Sequence, residues 1–293
     1  MLYAVTHRTV YRYGSNVSVS HHVAHLHPRE FPGQQVTDFE FQVEPVPAAN
    51  AARVDFYGNE AMIFAIEEPH DLLIVTARSR VRVTPRNLPV AALTPAWEQV
   101  RARCANNLLT PDSAMGEFRF DSPLITRKPA FADYAAASFP KDCPLLQGIS
   151  DFTARIFSDF KFDRRATSVA TPLDEVFKER RGVCQDFAHL AIAGLRSLGL
   201  PARYVSGYIE TQPMPGRPRL IGADASHAWF SVWCPEFDWI DADPTNNLLP
   251  GDRYISIAWG RDFSDLSPLR GVVVGGGKHG LTVGVTITPI DEA

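Results

Sequence analysis

The sequence predicts an α+β protein in which a strand-rich first region precedes a core built from a helix packed on an antiparallel sheet. Three observations carry that expectation. Residues 1–84 alternate and turn in the manner of β structure, a segment beginning at Cys184 repeats apolar residues at helical steps, and three strand-like runs follow it. The 293 residues, 45% of them hydrophobic, suffice for one large domain or two ordinary ones. The division expected is a β-domain over 1–84, a linker with helices over 85–148, and a core over 149–293 that ends in a β extension.

In the first region Val17–Ser20, Phe39–Val43, Met62–Ile66, Leu72–Thr76 and Arg78–Val83 read as short strands. Turn chemistry separates them at Pro32-Gly33, Pro45 with Pro47, Gly58-Asn59 and Glu68-Pro69. An antiparallel sandwich is the arrangement this pattern predicts. From 85 to 148 the signal weakens, with Pro85, Pro89 and Pro95 ahead of mixed helical stretches at 97–109 and 131–138.

Beyond residue 145 the pattern sharpens. Ile149 to Phe157 has helical spacing, and Pro172 to Phe177 reads as a helix opened by Thr171, whose hydroxyl would cap the first amides, and stopped by Arg181-Gly182. After Cys184 the residues Phe187, Leu190, Ala191, Leu195 and Leu198 recur at steps of three and four, and Gly199-Leu200-Pro201 supplies the C-terminal stop. Cys184 therefore falls at a helix N-terminus. Strands are expected over 202–210, 227–233 and 239–242, with a Pro- and Gly-rich loop at 212–218 beside them. In the tail, Val272–Val274 and Leu281–Ile287 suggest a closing hairpin that turns at Gly275-Gly276-Gly277, a triplet without the Lys-Ser/Thr ending of a phosphate loop.

Charge and cysteine content narrow the function. Lys and Arg number 29 against 33 Asp and Glu, with no long block of either sign, so the electrostatic footprint of a nucleic-acid binder is missing. No run of eighteen apolar residues and no secretory pattern at Met1 to Arg8 are found, so the expectation is a cytoplasmic protein without a membrane partner. Cys104, Cys143, Cys184 and Cys234 contain no CxxC pair, which argues against a zinc knuckle and for thiols in a reducing compartment.

A cysteine at the start of a buried helix has the free amides of the first turn and the helix dipole to favour its thiolate. Asp224 to Trp229 opens a strand on which His227, Trp229, Ser231 and Trp233 share one face. On the next strand Asp241 and Asp243 share a face, and either could orient the histidine. A Cys, a His and an Asp at the ends of separate elements satisfy the logic of a triad recognised by role. For the other three cysteines a buried structural place is expected.

Four linked motifs, Arg181 to Leu190, Leu198 to Tyr208, Ser226 to Trp229 and Asp243-Pro244-Thr245, resemble the core of bacterial transglutaminase-like proteins. Val5-Thr6-His7, Tyr11-Arg12-Tyr13, Pro28-Arg29, Asp55 to Asn59, Pro69-His70 and Gly260 to Pro268 resemble the branch in which a β-domain precedes that core. The resemblance implies a papain-like transglutaminase core, a triad at Cys184, His227 and Asp243, and a cysteine protease or transglutaminase acting on protein or peptide substrates. It favours Asp243 over Asp241 because the family's acid directly precedes Pro-Thr. Water or a primary amine would accept the acyl group, and no cofactor or metal is called for.

The oxyanion donor is matched by no motif. Gln147 is a candidate by composition, and the backbone amide of Cys184 a stronger one. Gln185 and Asp186 are candidates for steadying the substrate, although a first-turn acid also has a helix-dipole explanation. Trp229 could line the cleft or pack in the core. His189 projects about 140 degrees from Cys184 around the helix, which suits packing. His21, His22, His25 and His27 lack the accompanying carboxylate or thiol at ligand spacing and suggest a half-exposed β-face rather than a metal site. The rival reading of the whole chain is a catalytically idle scaffold that uses the same fold for binding.

Overall fold

The computed structural model describes residues 1–84, 88–106, 111–210 and 226–291. Pro85, the end of the stretch 97–109, the loop 212–218 and the pair Asp224-Ala225 lie outside them.

One strand organises the first region. β1, Leu2–Ala24, runs for 23 residues and is flanked on both sides along its length. On one side lie β4, Glu60–Ile66, and β5, His70–Val83, both antiparallel to it. β3, Ala49–Val54, extends the sheet beyond β4, and β2, Gln34–Glu44, extends it beyond β5. On the other side lie two strands from the far end of the chain, β12, Leu269–Gly275, and β13, His279–Ile290.

The expected hairpin in the tail does not form. Val17 pairs with Gly275 and Tyr13 with His279, so β12 and β13 follow β1 as one antiparallel path. The glycine triplet bends this path instead of reversing it. Gly275, Gly276 and Gly277 all have positive φ, and Gly14 N donates to the carbonyls of Gly276 at 2.9 Å and Lys278 at 2.7 Å. Bent there, the sheet curls so that its two halves face each other. Phe41 of β2 meets Phe64 of β4 at 5.9 Å between ring centroids, within a cluster that includes Ile66, Leu73, Val75 and Leu269. This is the sandwich-like packing the alternation predicted, closed by strands from both ends of the chain.

The second region holds α1, Trp97–Asn106; α2, Pro129–Ala136; α3, Leu145–Asp159; β6, Lys161–Phe162; α4, Leu173–Glu179; β7, Arg181–Gly182; and α5, Cys184–Ser197. Pro172 occupies the N-cap of α4 and the helix has no side-chain cap; the Thr171 hydroxyl accepts the Ser168 N–H instead. Arg180, with φ 53°, ends α4 in the left-handed region, and Arg181-Gly182 then pairs in parallel with β6. A four-stranded antiparallel sheet follows in the order β10-β9-β8-β11, made of β8, Ala202–Ile209; β9, His227–Cys234; β10, Asp238–Ala242; and β11, Tyr254–Gly260.

Helix α5 packs on β8 and β9 through the residues its periodicity pointed to, Phe187, Leu190, Ala191 and Leu195, all buried in one large core. Arg196, 1% exposed, donates from its guanidinium to the carbonyls of Phe118, Phe120, Ala202 and Arg261, which satisfies a buried cation with backbone oxygens.

The two sheets are tied by side chains that imitate a neighbouring strand. β11 is an edge of its sheet, and its outer backbone groups are taken by amides from the first region. Gln34 accepts the Ser256 N–H at 2.8 Å and donates to its carbonyl at 2.7 Å, while Asn59 does the same for Trp259, both at 2.9 Å. Arg29 stacks on the Trp259 ring 3.6 Å from its centroid.

Gly207 of β8 pairs with His227 of β9. A Cβ at that glycine would overlap the Ile255 carbonyl and the Trp229 indole. Gly207→Ala is expected to destabilise the fold by about 1–3 kcal/mol through overpacking. A lower urea midpoint at unchanged slope checks it, and a midpoint equal to that of the unaltered protein would contradict it.

Candidate active site

Cys184 is the first residue of α5, after Val183 in extended conformation at the N-cap. The amide of Val183 is bonded by Asp186 Oδ2 at 2.8 Å, and the same oxygen accepts the Thr167 hydroxyl at 2.6 Å. Asp186 thus folds back over the helix start as the third-position acid of a capping arrangement. Burial is the largest influence on it and raises its pKa against the lowering effect of those bonds. Gly182 permits the return, because a Cβ there would lie 2.6 Å from Asp186 Oδ2.

Among the four cysteines Cys184 is partly exposed, whereas Cys104, Cys143 and Cys234 are buried, and none is in a disulfide. Burial pushes the Cys143 thiol up and the Cys234 thiol to about 11. A raised thiol pKa suppresses the thiolate and so the reactivity of those two residues.

His227 opens β9 and is 1% exposed. Its Nε2 lies 2.8 Å from Asp243 Oδ2, and its Nδ1 is buried without a hydrogen-bond partner among the described residues. Burial pulls the imidazole pKa down, but the charge and hydrogen bond of Asp243, joined by Cys184, carry it up to about 10. With Nε2 committed to the carboxylate, Nδ1 is the ring nitrogen left over.

Asp243 is fully buried, and each of its oxygens is bonded. Oδ2 also accepts from Asn246 Nδ2 at 2.9 Å and Tyr254 OH at 2.8 Å, while Oδ1 accepts the Thr245 N–H at 2.9 Å and that of Asn246 at 3.3 Å. Burial raises its pKa, yet the His227 charge and these donors outweigh it and hold the carboxyl below its ordinary range. Asp241 takes a different partner, the Ser231 hydroxyl, across the same strand pair.

Cys184 and His227 line one cleft of about 460 Å3. Gln185 lines it as well, and with Asp186 and His189 also lines an adjoining cavity of about 280 Å3. Gln147 is exposed on α3 and is not among the cleft's lining residues. Trp229 is completely buried behind His227, edge-on to Tyr254 at 5.3 Å between centroids, and belongs to the core. His189 accepts the Phe263 N–H at 3.2 Å, and burial keeps it neutral by lowering its pKa to about 4.

The histidines of β1 and the loop after it go separate ways. His21 is exposed, His22 stacks on Phe64, His25 sits 3.5 Å from Asp55, and His27 sits 3.6 Å from Glu60. No group of three or more side chains suited to a metal gathers among the described residues. Nor is any of their helices long and apolar enough to cross a membrane.

Two kinds of site residue escape a sequence reading. Asn246 was within reach, since Asp-Pro-Thr-Asn is a stretch in which an acid bonds the backbone two residues on. Tyr254, and His7, Thr9, Tyr11, Leu281 and Val283 on the opposite wall of the cleft, carry no local signal.

The pair His227–Asp243 sets a pH prediction. The folded pKa of His227 lies above its ordinary 6.5, so its contribution is complete below pH 6.5 and is lost as pH rises towards about 10. That of Asp243 lies below its ordinary 3.8, so its contribution is present above pH 3.8 and is lost as pH falls. Asp243→Ala is expected to cost about 3–5 kcal/mol. The deficit in urea unfolding free energy should be largest between these two values and shrink on either side. A deficit that stays level from pH 4 to 9 would contradict a charged pair.

Comparison with known proteins identifies the family. Residues 3–82 match the bacterial transglutaminase-like N-terminal region, and residues 135–244 match the transglutaminase-like superfamily. An uncharacterized protein of Mycobacterium tuberculosis is 40% identical, over 99% of this chain and 93% of the relative. A protein-glutamine gamma-glutamyltransferase of Pseudomonas aeruginosa is 37% identical over 78 residues, 26% of this chain and 12% of that protein. The crystal structure of a proposed cysteine protease from Cytophaga hutchinsonii, 22% identical, superposes with a TM-score of 0.78 over 100% of this chain and 92% of that one, which shows a shared fold. With matches to both family regions in order, a relative 40% identical end to end, and a shared overall fold, the chain belongs to the transglutaminase-like superfamily, in the branch that carries a bacterial N-terminal β region before the core.

Proposed function

We propose that the protein is a cysteine-dependent acyl-transfer enzyme that acts on amide bonds of proteins or peptides, with Cys184 as nucleophile, His227 as the proton carrier and Asp243 as the group that positions it. The observation that carries this reading is the buried His227–Asp243 bond at 2.8 Å, which leaves the second imidazole nitrogen free on a ring that shares a cleft with a partly exposed thiol.

With the Cys184 proton already held on His227 Nδ1, the thiolate sulfur bonds to the carbonyl carbon as the carbonyl π pair moves onto oxygen. The carbonyl oxygen takes the negative charge and is met by the backbone amide at the start of α5. When the carbon–nitrogen bond breaks, His227 returns the proton to the departing amine and a thioester remains. Water or a primary amine then gives a proton to His227 and attacks the thioester, the carbon–sulfur bond breaks, and the thiolate beside protonated His227 is restored. Water makes the reaction a hydrolysis; an amine makes it a transamidation. Asp243 holds Nε2–H throughout and keeps the ring in one orientation.

The test begins with limiting iodoacetamide at pH 6 to 7 followed by peptide mapping. Cys184 is expected to label ahead of the other three cysteines, and His227→Ala is expected to remove that lead. Equal labelling of all four would favour the idle scaffold. Release of ammonia from a glutamine peptide, and incorporation of a fluorescent primary amine, then separate hydrolysis from transamidation. Cys184→Ala should lower either rate by at least about a thousandfold.

A further inference from the structure

The face of the first sheet that packs on the core does not stop where the core stops. Tyr3, Val5, His7, Thr9 and Tyr11 alternate on one side of β1, and their partners on β13 are Pro289, Ile287, Val285, Val283 and Leu281. Tyr3, Val5 and Val285 join the large core, with Ile287 packed against it. Further along, His7, Thr9, Tyr11, Val283 and Leu281 overhang the cleft that holds Cys184 and His227.

Leu281 and Val283 are 54% and 38% exposed, although they belong to the same apolar stripe as the buried Val285. Apolar side chains left open on the wall of a cleft are suited to burying an apolar group of a ligand. Leu269 and Pro268 continue this wall, and none of the described lining residues is Asp, Glu, Lys or Arg. His7 adds no charge. Its ring nitrogens bond the Tyr208 and Thr9 hydroxyls at 2.7 and 3.0 Å, and burial lowers its pKa to about 4.

We infer that Thr9, Tyr11, Leu269, Leu281 and Val283 form an acyl-donor subsite that takes an uncharged, apolar side chain next to the bond attacked, so that the first sheet determines specificity. The inference rests on the reading of Cys184 as nucleophile. A charged side chain at this position would lose water and meet no partner among the described residues, whereas an apolar one would cover the exposed Leu281 and Val283.

Peptide vinyl sulfones that differ only in carrying norleucine or lysine beside the electrophile test this, because the thiol adds to them and the thioether can be located by mass spectrometry. The adduct is expected on Cys184, with the norleucine peptide reacting at least about tenfold faster. The double variant Leu281→Asp, Val283→Asp should reverse the order of the two peptides. Should that variant fail to fold, Leu281→Thr with Val283→Thr keeps β-branched residues in the strand and should reduce the preference to less than about threefold. Equal rates for both peptides with the adduct on Cys184 would overturn the subsite and leave the nucleophile standing. An adduct spread over all four cysteines would overturn both.

Discussion

A carboxylate at zero exposure is the constraint around which the second region is arranged. Burying an anion costs several kcal/mol unless donors replace the lost water. Asp243 recovers that cost from His227, Asn246, Tyr254 and the amide of Thr245. Those groups belong to β9, to the turn after β10, and to β11, so satisfying one side chain fixes three parts of the sheet relative to each other. The histidine then stands in a single orientation, and α5 places Cys184 on the lining of the same cleft. Asp241, within β10 and two residues before Asp243, has a different partner, the Ser231 hydroxyl opposite it on the ladder.

Packing in the core serves the same arrangement from behind. Trp229 fills the space beneath His227, and Gly207 opposite makes room for the indole. At the start of α5, Gly182 lets Asp186 return over the first turn, so the helix end that carries the thiol is held by a hydrogen bond to its own N-cap residue. The rigidity asked of a reactive constellation is supplied here by close contacts as much as by polar bonds.

The first sheet and this core share edge hydrogen bonds and one body of packed side chains. β11 would be a bare edge without Gln34 and Asn59, and the large core includes Tyr3, Val5, Val81 and Val285 beside the residues of α5. Because β12 and β13 come from the end of the chain, the sheet is complete only when both termini have met along β1. Contacts of such sequence separation are slow to form, and they place residues more than 250 positions apart on one wall of the cleft.

Much was legible in one dimension where a local pattern and a chemical need coincided. The apolar steps after Cys184 and the Gly-Leu-Pro stop define α5 to its ends, and the His and the Asp ahead of Pro244 are carried by short motifs. Strand β11 was not legible, since it is buried on both faces and shows no alternation. Most of β1 was hidden for a related reason: His7 and Thr9 occupy inward positions over the cleft and interrupt the apolar rhythm. The glycine triplet in the tail is compatible with a reversal or a bend, and only the presence of β1 alongside makes it a bend. The sequence by itself therefore determined the core, its helix and the identity of a thiol, an imidazole and an acid, because periodicity and motif are local. The tertiary structure alone decided that Asn246 and Tyr254 hold the acid and that both ends of the chain wall the cleft, because those relations arise from pairing across distances that no window of residues spans.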